Sequence, residues 1–295
     1  MAADKKSLIV LMVVAMSCGV AARSDHRQPT TSPHRIISVI PAATEMLFAI
    51  GAGPQVVGVG SFDTFPPEVS KLPKVGALLD PDVERILSLK PDLVVIYASQ
   101  TDLKQQLDRA GIRSYEYKHA GLADVTSTIR ALGDAAGHDQ GAKTVAGSIE
   151  RGLAEIRVRV RERPKPRTLL VFGHERGALR GIYASGGIGF LDDMLTIAGG
   201  ANVFADVRQQ SVQATTEQII ARRPEVILEI RASNSALQPG DVASETRVWD
   251  ALGSVPAVRA HRVMFLVDDR LVIPGPRVAE GTRLMAQALH PEAFQ

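Results

Sequence analysis

Residues able to do chemistry are few in this chain and scattered: seven histidines (His26, His34, His119, His138, His174, His261 and His290) and one cysteine, Cys18. The histidines lack the clustered spacing with carboxylates that binding of bare zinc or manganese needs, and a single cysteine excludes a disulfide framework or a cysteine-based zinc site. There is no Gly-x-Ser-x-Gly elbow, no His-Glu-x-x-His helix, no phosphate loop and no Gly-x-Gly-x-x-Gly turn. An acid–base pair assembled from His174 and Asp269 stays open as a catalytic arrangement, but nothing in the sequence compels it. The remaining candidates are side chains at the carboxyl ends of predicted strands, where open α/β sheets hold their ligands. They are Pro41, Ala42, Phe62, Phe65, Tyr97, His174, Arg176, Asp269 and Arg270. Phe62, Phe65 and Tyr97 offer flat apolar faces, whereas the charged members and His174 could meet amides, carboxylates or a metal. A large, polar-rimmed macrocycle suits that mixture. Phe62 and Phe65 also read as core residues under a loop, Tyr97 as the end of a strand, and His174 as a solvated loop residue.

The elements that must position these residues follow from length and periodicity. The chain has 295 residues, 45% hydrophobic and 22% charged, enough for two globular units at about 150 residues each. A net charge of +2 gives no support to a nucleic-acid partner. Lys5 and Lys6, an apolar run over 8–16 and small residues ending at Ala21 and Ala22 have the layout of a signal peptide, residues 1–22, followed by a flexible leader, 23–33. Acylation of Cys18 in a lipoprotein is the alternative. From residue 35, short β-branched runs alternate with amphipathic stretches, the pattern of βαβ units. Strands are predicted over 36–40, 56–59, 92–97 and 112–117, with helices over 44–50, 83–89 and 124–136. Residues 142–163, with Val145, Ile149, Leu153, Ile156 and Val160 three or four apart, predict one helix about 33 Å long. After Pro164 the alternation resumes, with strands over 168–172, 225–230 and 262–267 and helices over 190–197, 216–222 and 277–289. The predicted fold class is α/β: two similar α/β lobes with largely parallel sheets, residues 34–138 and 164–295, joined by one long rigid α-helix, 139–163, with a ligand cleft between the lobes. Such a helix resists hinge bending and predicts small lobe movements. Arg157, Arg159, Arg161, Arg163 and Arg167 are expected at its wet carboxyl end, and Asp192 and Asp193 at the start of a helix whose dipole they complement.

The two lobes read as copies. Residues 83–95 (VERILSLKPDLVV) align without gaps to 216–228 (TEQIIARRPEVIL), and Glu45-Met46-Leu47 followed by Gly51 matches Asp193-Met194-Leu195 followed by Gly199. Two matches in the same order favour duplication over chance.

These residues carry a family resemblance over nearly the whole predicted mature chain. RIISVIPAATE (35–45), GVGSFDTFPP (58–67), residues 84–95, GGANVF (199–204), residues 217–228 and PGPR (274–277) resemble the periplasmic binding proteins that serve ABC importers of vitamin B12, iron-siderophores and haem, with the cobalamin-binding branch nearest. The resemblance implies two lobes on a rigid helix, capture of cobalamin or another metal chelate as a transported ligand with no intrinsic cofactor, and action as a periplasmic monomer. It also implies that Glu84 and Glu217 lie at the lobe tips and pair with arginines of an ABC importer's permease dimer, itself coupled to an ATPase. Two departures stand out. The cobalamin branch places tryptophans in the cleft, whereas the only tryptophan is Trp249, and Ile273 stands at a position where the branch carries an arginine that Arg270 could replace. The haem branch commonly has an axial tyrosine where Phe65 stands. An exported enzyme and a ligand sensor docking on a receptor are the rival readings.

Overall fold

The computed structural model describes residues 32–118, 121–233 and 240–295; the predicted signal peptide, most of the leader and Cys18 lie outside the described residues. In chain order the first lobe comprises β1 (Ile36–Ser38), α1 (Pro41–Ala49), β2 (Val56–Val59), α2 (Val83–Ser88), β3 (Leu93–Tyr97), α3 (Thr101–Arg109), β4 (Arg113–Tyr117) and α4 (Leu122–Ala136). The long helix α5 (Asp139–Val160) follows. The second lobe comprises β5 (Arg167–Gly173), β6 (Ile182–Ser185), α6 (Phe190–Ile197), β7 (Ala201–Asn202), β8 (Ser211–Ala214), α7 (Thr216–Arg222), β9 (Val226–Arg231), α8 (Asp241–Arg247), α9 (Pro256–Arg259), β10 (Val263–Val267) and α10 (Val278–Leu289).

The first sheet, ordered β2-β1-β3-β4, is parallel throughout. Its central strand β3 reads Leu-Val-Val-Ile and is buried along that run, as a strand covered on both faces must be. The second sheet, β10-β9-β5-β6-β8 with β7 beside β5, is parallel from β10 to β5 but antiparallel at β5–β6 and β6–β8. That half departs from the largely parallel expectation because the chain leaving β5 turns back through Gly177 and Gly181, both at positive φ, and forms a hairpin instead of entering a crossover helix.

Helix α5 starts three residues earlier than its apolar periodicity predicts. Gly137, at φ 78°, closes α4 by donating to the carbonyls of Gly133 and Asp134, and the chain re-enters helix after His138. The buried side of α5, from Ala142 through Ile149, Leu153 and Ile156 to Val160, packs against α4 and α10. One core therefore runs from the first lobe through α5 into α6 and α10, and a second lies on the far side of the second sheet, around Trp249.

The duplication appears as repeated backbone chemistry. Lys90 and Arg223, aligned in the repeat, sit at φ 49° and 48°, each just before a proline. Asp92 accepts from the Arg35 amide, and its aligned partner Glu225 from the Arg167 amide. The Arg35 guanidinium donates to the Leu89 carbonyl at 2.7 Å, and that of Arg167 to the matching Arg222 carbonyl at 2.6 Å. Arg167 thus ties β5 to the end of α7 instead of extending the charged end of the long helix. The helix stops at Gly51 and Gly199 match as well, at φ 95° and 87°.

Candidate ligand-binding cleft

The cleft is built from helix starts and strand ends. Proline at the first position of α1 needs no amide partner there, so the chain passes from β1 into α1 through only two residues and delivers Pro41 and Ala42 to the surface between the lobes. They line a cavity of about 280 Å³ with Tyr97 and Tyr117 from the first lobe and Phe190, Val272 and Ile273 from the second. A second cavity, of about 480 Å³, shares Phe190 and Val272 with it and is lined also by Phe172, Leu191, Gln210 and Arg231. Tyr97 and Tyr117 meet edge to face, with centroids 5.9 Å apart. Burial, and then the nearby Asp63 charge, raise the Tyr97 phenol above its ordinary pKa; burial does the same to Tyr117. The walls are mostly apolar, with Gln210, Ser211 and Arg231 the polar side chains of the larger cavity.

A buried acid supports the first cleft loop. Asp63 accepts from the Thr44 hydroxyl at 3.0 Å and the Gly60 amide at 2.8 Å, both on Oδ2, and the Lys74 ammonium donates to its carbonyl at 2.7 Å. Burial outweighs these bonds and pushes the carboxyl up to about 6. Beside it, Glu45 takes a two-pronged bond from Arg277, at 2.8 and 2.6 Å, and the same guanidinium lies 4.0 Å from the centre of the Phe65 ring. Burial raises the Glu45 carboxyl while Arg277 opposes the rise.

The second lobe carries a buried polar cluster that sequence reasoning missed. Glu229 of β9 is wholly buried, accepts from the Trp249 indole at 3.1 Å and pairs with Arg231. His174 points at it: Nε2 lies 2.9 Å from Glu229 Oε1 and 3.9 Å from Glu245 Oε2, while Nδ1 is 2.7 Å from the Glu175 carbonyl. Burial pulls the imidazole pKa down, but the bond to Glu229 and its charge more than offset this, leaving it raised. Only Glu229 itself, an acid inside an otherwise apolar strand, could have signalled the cluster.

A two-lobe α/β frame joined by one helix, with an apolar cavity walled by both lobes, is the architecture the resemblance implied. The chain belongs to the periplasmic binding protein family. The family model matches residues 36–269. The chain is 32% identical to an uncharacterized ABC transporter substrate-binding lipoprotein, YvrC, of Bacillus subtilis, over 89% of this chain and 82% of that protein. It is 30% identical to the vitamin B12-binding protein of Salmonella paratyphi A, over 76% of this chain and 80% of that one. Among solved structures, the periplasmic heme-binding protein RhuT of Roseiflexus sp. RS-1 superposes with a TM-score of 0.72 at 28% identity, covering 88% of this chain and 99% of that one. Members of the family are substrate-binding proteins of transport rather than enzymes.

Of the residues singled out by sequence, Pro41, Ala42 and Tyr97 line the smaller cavity. Phe62 is 67% exposed and Phe65 40% exposed beside Arg277, so neither is a core residue. The other four are engaged elsewhere. The His174 side chain has no exposed area and faces Glu229, which corrects its placement in a solvated or ligand-facing loop. Arg176 pairs with Asp241, Asp269 accepts from the Ser233 amide at 2.8 Å, and Arg270 is held by Asp268 and Glu280. His174 and Asp269 therefore do not form an acid–base pair. Trp249 is buried under the second sheet as a partner of Glu229, not in the cleft. Glu84 and Glu217 occupy matching exposed places in the first turns of α2 and α7, after the capping residues Asp82 and Thr215. Among the described residues no group of three or more His, Cys, Asp or Glu could hold a metal, and no helix is long and apolar enough to cross a membrane.

Proposed function

We propose that this substrate-binding protein captures a corrinoid outside the cytoplasmic membrane and hands it to an ABC importer. The observation that carries the reading is a pair of mostly apolar cavities that share Phe190 and Val272, the smaller walled by both lobes and the larger by the second, in which Tyr97, Tyr117, Phe172 and Phe190 offer flat faces to a planar macrocycle. The 30% identity to a vitamin B12-binding protein over 76% of the chain supports the ligand class. The chemistry favours a chelate that arrives with its metal already ligated: a tyrosine binding haem iron does so as phenolate, and burial works against that form at Tyr97 and Tyr117. Haem remains the second reading because both phenols stand in the cleft. Pro41, Ala42, Tyr97 and Phe190 would contact the macrocycle, with Phe62 and Phe65 at the rim and Arg231 meeting a polar substituent.

In this reading Glu84 and Glu217 dock the two lobes on the two permease subunits, one acid to each, which would orient the complex more than strengthen it. Replacing both with alanine leaves ligand affinity unchanged and abolishes uptake; loss of affinity would overturn the docking role. The deciding test of the ligand is calorimetric titration of the chain from Ser24 onward with cyanocobalamin, haem and a ferric siderophore in parallel. One-to-one binding of cyanocobalamin alone is expected, and binding of haem alone would replace the corrinoid with the second reading.

A further inference from the structure

Two acids that align in the sequence repeat do the same thing in opposite directions. Glu45 lies in α1 and Asp193 in α6, the matching helices of the two lobes, one turn beyond the cleft-lining residues Pro41 and Phe190 respectively. Neither carboxylate is held by the start of its own helix. Glu45 reaches into the second lobe and takes both prongs of Arg277, the residue that opens α10. Asp193 reaches into the first lobe and accepts the Leu122 amide at 2.8 Å, the first amide of α4. Helices α4 and α10 are themselves equivalent, each following the last strand of its lobe and packing on α5. In both places a glycine just before the helix makes room: a methyl group on Gly275 would stand 3.1 Å from a Glu45 oxygen, and one on Gly121 only 2.6 Å from Asp193 Oδ2. Asp192 and Asp193 lie in the first turn of α6 as expected, but the hydrogen bond of Asp193 goes to the other lobe's helix, while Asp192 accepts from Asn202 at 2.8 Å.

We infer that Glu45 and Asp193 are a matched pair of cross-lobe latches, positioning residues that hold the two lobes at the separation that forms the cleft. The long helix and the core that runs through it resist hinge bending, and the motion they leave open is a small rocking of the lobes about the helix. Two charge-assisted bonds, one turn below the cavity wall and directed oppositely, oppose that motion from both sides. The Glu45 latch is the stronger, because breaking it strands a buried carboxylate and releases Arg277 from Phe65. The inference holds whatever the ligand is.

The test needs no ligand. Spin labels at Gln105→Cys and Arg259→Cys, exposed sites on different lobes, report the interlobe distance in a chain carrying Cys18→Ser. The parent is expected to give one narrow distribution. Glu45→Gln with Asp193→Asn is expected to broaden it about twofold as the lobes rock more widely about the helix. The exchange Glu45→Arg with Arg277→Glu, in an otherwise parental chain, should return it to the parental width. A folded double variant with the parental distribution overturns the proposal, because loss of a merely structural bond would lower stability without moving the lobes. If the charge variants do not fold, Gly121→Ala, whose methyl would stand 2.6 Å from Asp193 Oδ2 and displace it from the Leu122 amide, must broaden the distribution; an unchanged width there overturns the proposal equally.

Discussion

Two residues separate β1 from α1 in the first lobe, whereas between β5 and α6 in the second the chain makes a turn and the extra strand β6. That insertion is one source of the difference between the cleft walls. The first lobe presents the start of a helix and two tyrosines. The second presents Phe172, the entry to α6 and the end of β9, and behind them keeps a buried charge cluster. What the lobes share is the frame: the arginine ties from Arg35 and Arg167, the left-handed residues Lys90 and Arg223, and the glycine stops. Duplication has preserved the bonds that close strand–helix units and let the strand ends diverge, which is where a ligand is met.

The comparison is sharpest at one pair of positions. Glu229 continues the aligned repeat at the place where the first lobe has Ile96, and both side chains are fully buried. The largest expected effect is therefore that of Glu229→Ala, which leaves Arg231, the Trp249 indole and His174 without their common partner. Denaturant unfolding should show a loss of about 3–5 kcal/mol, the usual result of breaking a buried ion pair. A loss below about 1 kcal/mol would mean that the cluster is no more than polar filling.

Next comes a pH-dependent effect confined to the first lobe. Asp63 has its pKa raised from 3.8 to about 6 in the folded state, so folding is penalised above about 6, where the buried carboxyl is ionised, and the penalty disappears below 3.8. Asp63→Asn should stabilise the protein by about 2–3 kcal/mol at pH 7.5, scaled from about 1.4 kcal/mol per pKa unit, and the gain should vanish near pH 4. Equal gains at both pH values would show that the charge is not its source. The smallest effect belongs to the apolar counterpart of Glu229: Ile96→Val should cost about 0.5–1.5 kcal/mol at any pH. If it matched Glu229→Ala, the two lobes would not differ in kind at this position.

Much of the frame was legible because it is written in local patterns. The ranges of α6 and α7 emerge from apolar spacing and the Arg223-Pro224 stop, and the repeat emerges from alignment alone, because helix–proline–strand units depend on neighbours a few residues away. Helix α3, whose periodicity is broken by polar residues, and the short strands β6, β7 and β8 went unseen, since their identity depends on pairing with distant strands. The site was legible by position more than by orientation. Choosing the strand ends finds Pro41, Ala42 and Tyr97, but whether His174 faces a ligand or Glu229 depends on a residue 55 places away in the chain.

The sequence by itself determined the family, the two-lobe α/β plan, the long helix and the equivalence of Glu45 with Asp193, because each of these is a matter of periodicity, order or alignment. Only the tertiary structure decided where the charges go. A buried carboxylate must find a donor, and which donor lies within about 3 Å is set by how the lobes pack. That packing sends Glu45 and Asp193 across to opposite lobes, encloses Glu229 with His174 and Arg231, and leaves the tyrosines and phenylalanines to line the cleft.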